Sequence, residues 1–110
     1  MSSMSYLDLA DIYDAAADYL ETHDWLRGQF CHEKTGAVCL GGALSKVTVN
    51  NNTAYTAAVE DIADALPLVE VGKGVMVKSI TVWNDRVAQD KFEVMDVLRG
   101  RAKTLRNEAS

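Results

Sequence analysis

One proline, two cysteines and no apolar run near the roughly 18 to 20 residues of a membrane helix are the first features of this 110-residue sequence. So little Pro, with only seven Gly, excludes a collagen-like, Pro-rich or flexible-linker chain. The missing apolar run excludes a bilayer-spanning helix. Met1 to Asp11 hold no Lys or Arg and no apolar h-region, so neither a secretory signal nor a transit peptide is expected, and the expected setting is cytoplasmic. Gly41-Gly42 and Gly72-Lys73-Gly74 lack the spacing and the following Ser/Thr of phosphate-cradling loops. The Asp-rich start has no EF-hand loop.

Cys31 and Cys39 could be bridged only if their Cα atoms came within about 7 Å, and free thiols are the default in a cytosol. With His23 and His32 they make a Cys2His2 inventory, but no C-x2-C or H-x3-H pair preorganises it, so no metal and no cofactor are expected.

What is present is ordinary globular material. Hydrophobic residues are 48% and charged residues 25%, enough for one core in a single domain over 1–110, built from about residue 6 to 106. The net charge of −5 disfavours nucleic acid. The charge is also polarised: Asp8, Asp11, Asp14, Asp18, Glu21 and Asp24 precede any Lys or Arg, while Arg99, Arg101, Lys103 and Arg106 crowd the other end. Two readings stay open. The two faces complement each other, or Asp11, Asp14, Asp18 and Glu21 form an acidic surface for a basic partner.

Ser5 reads as a helix N-cap, and Leu9, Ile12, Tyr13, Ala16, Tyr19, Leu20 and His23 share one sector of a helix from about Tyr6 to His23. Glu33 to Gly36 looks like the turn of a small hairpin, and Val38 to Val47 like a short buried helix of small residues. Asn52 or Thr53 caps a helix through Ala65, which Pro67 stops. Leu68 to Val71 and Val75 to Val82 read as extended runs around a glycine turn, and a last helix begins near Ala88. The fold class expected is mainly α, about four helices with one or two short β-hairpins, in a compact single α+β domain.

The sharpest catalytic candidate is Cys39 at a helix start, where the helix N-terminus lowers a thiol pKa, with His32 or His23 as base and Asn84 or Asp85 orienting it. The alternative is that Cys39 is a small buried hydrophobe. Trp83-Asn84-Asp85 either closes a turn and caps the last helix, or, with Trp25, lines a shallow pocket in which amide and carboxylate fix a polar ligand.

Trp25, Gly36-x-x-Cys39-x-x-Gly42-Ala43-Leu44, Trp83-Asn84-Asp85 and Glu93-Val94, taken in order, resemble a family of small uncharacterised proteins from actinobacteria and their phages. The resemblance spans about residues 20 to 100 and implies a compact, mainly helical domain of phage or mobile-element origin, with no reaction to transfer. Cys31-His32 and Asn50 to Asn52 depart from that pattern.

Three functional expectations follow. The first is a phage accessory protein that binds a host component through its surface. The second is a small enzyme or ligand-binding domain using Cys39, His32 and Asn84 or Asp85. The third is a homo-oligomer joining the acidic first helix to the basic last helix of a neighbour.

Overall fold

The computed structural model describes residues 4–110; Met1 to Ser3, part of the expected single domain, lie outside the described residues. Five helices and one two-stranded hairpin follow in the order α1 Tyr6–Thr22, α2 Leu40–Val47, α3 Asn52–Ala65, β1 Val69–Gly72, β2 Val75–Val77, α4 Ile80–Val82 and α5 Lys91–Ala109. The fold is mainly α with a short β-hairpin.

Each long helix starts on a side-chain acceptor that satisfies a free N–H. Ser5 Oγ accepts from Asp8 N at 3.0 Å, Asn51 Oδ1 from Ala54 N at 3.0 Å, and Asp90 Oδ1 from Glu93 N at 2.9 Å. Glu93 Oε1 also reaches back to Gln89 N at 2.9 Å, so both directions of the last helix's entry are held. The last helix therefore begins at Lys91 and not near Ala88, and its cap is Asp90 rather than Asn84 or Asp85.

The core is a sandwich of α1 on α5, with α2 and α3 packed across them. Leu9, Ala10, Tyr13, Ala16, Ala17 and Leu20 of α1 meet Val94, Met95, Leu98, Ala102 and Leu105 of α5, all buried. Both sets repeat at helical spacing, which is why each helix buries one stripe and wets the other. His23 ends α1 in an extended conformation and is only half-buried, stacked on Tyr19 at 3.9 Å, so it is not a core residue.

The charged ends of the chain meet. Arg99 pairs with Asp18 at 2.9 Å, Glu21 at 3.5 Å and Asp14 at 3.8 Å, while Arg106 pairs with Asp11 at 2.9 Å and with Asp14. This order, late residues of α5 against early residues of α1, makes the two helices antiparallel. Deeper in, Arg101 forks onto Asp61 of α3, Nε to Oδ2 at 3.0 Å and Nη2 to Oδ1 at 2.8 Å. The Tyr13 hydroxyl donates to Asp61 Oδ2 at 2.7 Å. One carboxylate thus ties three helices.

Burial pulls the Asp61 carboxyl upward, but hydrogen bonds from Arg101 and Tyr13 and the Arg101 charge outweigh it and hold it below its ordinary value. The Tyr13 phenol goes the other way, raised above its usual range by burial and then by Asp61. A carboxyl whose folded pKa is depressed contributes stability that is complete above the ordinary carboxylate range near 4 and lost as pH falls through the folded value. Asp61→Asn is therefore expected to lower unfolding free energy by about 2–3 kcal/mol at pH 7, with the gap to wild type closing below about pH 4. Urea denaturation of both proteins across that range measures it, and a gap that stays constant would contradict the assignment.

The hairpin pairs Val69 with Val77 and Glu70 with Met76, with an irregularity between Glu70 and Gly72. The extended run expected through Val82 ends at Val77. Ser79 Oγ accepts from Val82 N at 3.2 Å and starts a helical turn instead. The expected hairpin around Glu33 to Gly36 is reduced to a turn and single bridges from Val38, antiparallel to Cys31 and parallel to Trp25. Asn51, one residue earlier than expected, caps α3.

Candidate functional site

Between α1 and α2 the chain runs through residues 23–39 without a helix or a named strand. A loop of this length in a small domain needs something to hold it. The support comes from α4, which continues into a wide five-residue π-helical turn, Trp83–Val87, closed by Ala88 N–H donating to the Trp83 carbonyl at 3.0 Å. Widening the turn lets two consecutive side chains, Trp83 and Asn84, both point inward, and Asn84 is fully buried.

Asn84 spends its whole amide on this task. Oδ1 accepts from Trp25 Nε1 at 2.7 Å and from Leu40 N at 3.0 Å, while Nδ2 donates to the Leu26 carbonyl at 3.2 Å and to Asp85 Oδ1 at 3.0 Å. One side chain thereby pins the loop, the first residue of α2 and the turn. Asp85 Oδ1 accepts from Gly28 N at 3.0 Å, Arg27 donates to the Ala88 carbonyl, and Lys91 Nζ donates to the His23 carbonyl at 3.1 Å. The Arg27 guanidinium lies 4.9 Å over the Trp25 ring. On the far side, Gly42 of α2 lies directly against the Phe30 carbonyl, with no room for a side chain.

The loop, the turn and the start of α2 enclose a small cleft of about 150 Å³ lined by Gly28, Gln29, Phe30, Cys39, Thr81 and Asp85. Of the residues singled out from sequence, Cys39 and Asp85 share this cleft and His32 does not. His32 borders a separate depression with Cys31, Glu33 and Lys34, where its Nδ1 accepts from the N–H groups of Lys34 and Thr35 at 3.3 and 3.4 Å and steadies the turn. Trp25 and Asn84 hold the cleft's frame rather than line it.

Cys39 is the N-cap of α2 and is 4% exposed, its sulfur accepting from Gly42 N at 3.3 Å. Burial pushes the thiol up, the N–H groups of Gly42 and Gly41 pull it down by less, and the Asp85 charge adds to the rise. The lowering expected at a helix N-terminus is overridden by desolvation. Both cysteines are free thiols. Among the described residues no three His, Cys, Asp or Glu side chains are grouped to hold a metal ion, and no helix is long and apolar enough to cross a membrane.

Of the two readings of Asp11, Asp14, Asp18 and Glu21, the structure shows the complementary faces: these carboxylates pair with Arg99 and Arg106 of the same chain. Phe30, 49% exposed, is a cleft residue that no sequence motif marks. Thr81 was hidden in a β-branched run; the Ser79 cap was the one local sign that this run turns.

The sequence model of a family of unknown function, DUF6197, matches residues 4–104. The chain belongs to this family. No curated protein and no solved structure matches it. In this DUF6197 chain, Trp25, Gly36, Cys39, Gly42, Asn84 and Asp85, six of the residues on which the resemblance drawn from sequence rests, gather around the loop and its support. Gly36 is there too, its carbonyl accepting from the Tyr19 hydroxyl at 3.0 Å.

Proposed function

We propose that this protein is a small interaction module that captures one basic side chain of a partner protein in the cleft beneath the 23–39 loop. The observation that carries the reading is Asp85, a half-buried carboxylate on the cleft wall whose Oδ1 is held by two neutral donors and which has no Lys or Arg partner among the described residues. A half-buried carboxylate without a counter-charge favours a cation in the space beside it. The cleft's 150 Å³ is about five liquid-water volumes at ~30 Å³ each, room for the end of one side chain and too little for a nucleotide. Phe30 adds an aromatic surface, and Gln29 and Thr81 add acceptors for N–H groups. The net charge of −5 steers basic partners toward the molecule. With the resemblance to phage proteins, the partner in this reading is a host component. The enzyme reading of the same cleft is weaker, because Cys39 is capped, raised by burial, and has neither histidine beside it in the cleft.

The test is a titration of isotope-labelled protein with n-butylammonium, with guanidinium and with neutral 1-pentanol, followed by amide NMR. Saturable shifts at Gly28, Thr81 and Gly41 with the cations and not the alcohol are expected, and Asp85→Asn, which keeps the Oδ1 acceptor, should abolish them. No saturable shifts, or identical shifts in Asp85→Asn, would overturn the proposal.

A further inference from the structure

Gly100 lies in the middle of α5 on its exposed side, and a Cβ added there would meet nothing within 4 Å. Glycine inside a helix costs about 0.5–1 kcal/mol relative to Ala, and no contact within this chain uses the space. At roughly 100° per residue, Glu93, Asp96, Val97, Lys103, Thr104 and Asn107 all fall within about 60° of Gly100 around the helix. Five of this set of seven, Glu93, Asp96, Val97, Gly100 and Thr104, line a groove of about 520 Å³ whose opposite wall includes Leu66 and Pro67. Asp96 and Lys103 are exposed and belong to none of the ion pairs among the described residues.

We propose that this face is a dimer interface, in which α5 packs antiparallel against α5 of a second copy with the two-fold axis at Gly100. The order of the side chains along α5 suits this pairing. In such a pair, a residue n positions before Gly100 in one copy stands across from the residue n positions after it in the other, and a side chain lying to one side of the contact line stays on that side. Asp96 and Lys103 lie on the same side of Gly100, four residues before and three after. Asp96 then stands beside the partner subunit's Lys103, and the symmetry repeats the pair. On the other side Val97 meets the methyl of the partner subunit's Thr104, and along the middle Glu93 reaches the amide of the partner subunit's Asn107. Gly100 at the crossing lets the backbones approach closely, and the groove beside α5 leaves room for the incoming helix. A face that is complementary to itself under one rotation selects a second copy over a different partner. This contact is independent of the Asp85 cleft and differs from a contact between α1 and α5 of neighbours, since those charges are satisfied within the chain.

Sedimentation equilibrium of the full chain at low salt, over a wide concentration series, tests the interface. Wild type should dimerise; Lys103→Glu or Asp96→Lys alone should weaken the dimer about tenfold, because each replaces two attractive pairs by two repulsive ones. The combined Asp96→Lys, Lys103→Glu variant should restore it. Gly100→Leu, whose side chain enters open space in the monomer, should keep its helical circular dichroism and lose the dimer. A monomer at every concentration overturns the proposal, as does a dimer indifferent to these substitutions or single-variant losses that the combined variant does not repair.

Discussion

Asn84→Ala is expected to lower the unfolding free energy by about 3–5 kcal/mol, among the largest effects a single substitution has here. The truncation leaves the Trp25 indole N–H, the Leu40 N–H and the Leu26 carbonyl without partners in a place where the side chain that served them was fully buried. Each buried group left unmatched costs about 1–3 kcal/mol, and three are orphaned at once. Trp25→Phe removes only the indole donor and leaves the rest of the amide's bonds, so its cost should be about 1–2 kcal/mol. Urea denaturation gives both values. Amide hydrogen exchange should show the 23–39 segment opening in Asn84→Ala well before α1 and α5 do. Equal costs for the two variants would mean that Asn84 does no more than support one ring.

Gly42→Ala should be comparably damaging, by about 3 kcal/mol or more, for a steric reason. Its methyl would stand 2.1 Å from the Phe30 carbonyl oxygen and 3.0 Å from Val38 Cβ. Neither is the free end of a flexible side chain. Moving the Phe30 carbonyl also breaks its bond from Cys39 N, 3.1 Å long, which joins the loop to the start of α2. The neighbouring Gly41→Ala is the control: its methyl meets the Phe30 ring edge at 3.2 Å and the end of Ile80 at 3.4 Å, both able to give way, and should cost less than about 1 kcal/mol. The two variants compared by urea denaturation separate a backbone clash from the gain in helix propensity both share.

The same residues show where sequence reading reached and where it stopped. The buried stripe Val94, Met95, Leu98, Ala102 and Leu105 is legible because helical period alone selects it, and Pro67 marks the end of α3 because it cannot continue a helix. The turn Gly72 to Gly74 is legible from composition. The loop is not, because residues 23–39 have no period and their partners are remote: Trp25 finds Asn84 59 positions away, and Gly28 finds Asp85 57 away. β-branched Thr81 and Val82 suggest a strand, yet the Ser79 cap and the inward demands of Trp83 and Asn84 turn that run into a helix. Charge order along the chain displays two opposite faces, but how they meet is a question of packing, and Arg99 and Arg106 pair with carboxylates of the same chain.

The antiparallel seating of α1 on α5 has a consequence for synthesis. Leu9, Tyr13 and Leu20 are covered in part by α5, a helix made only after everything between Thr22 and Lys91. A nascent chain therefore carries an incompletely covered greasy stripe until α5 has emerged, and α1 must wait for its partner helix rather than pack as it emerges. The long separation slows the closing step more than it weakens the finished fold. During that wait, chaperones in the cell have a target that the mature protein no longer offers.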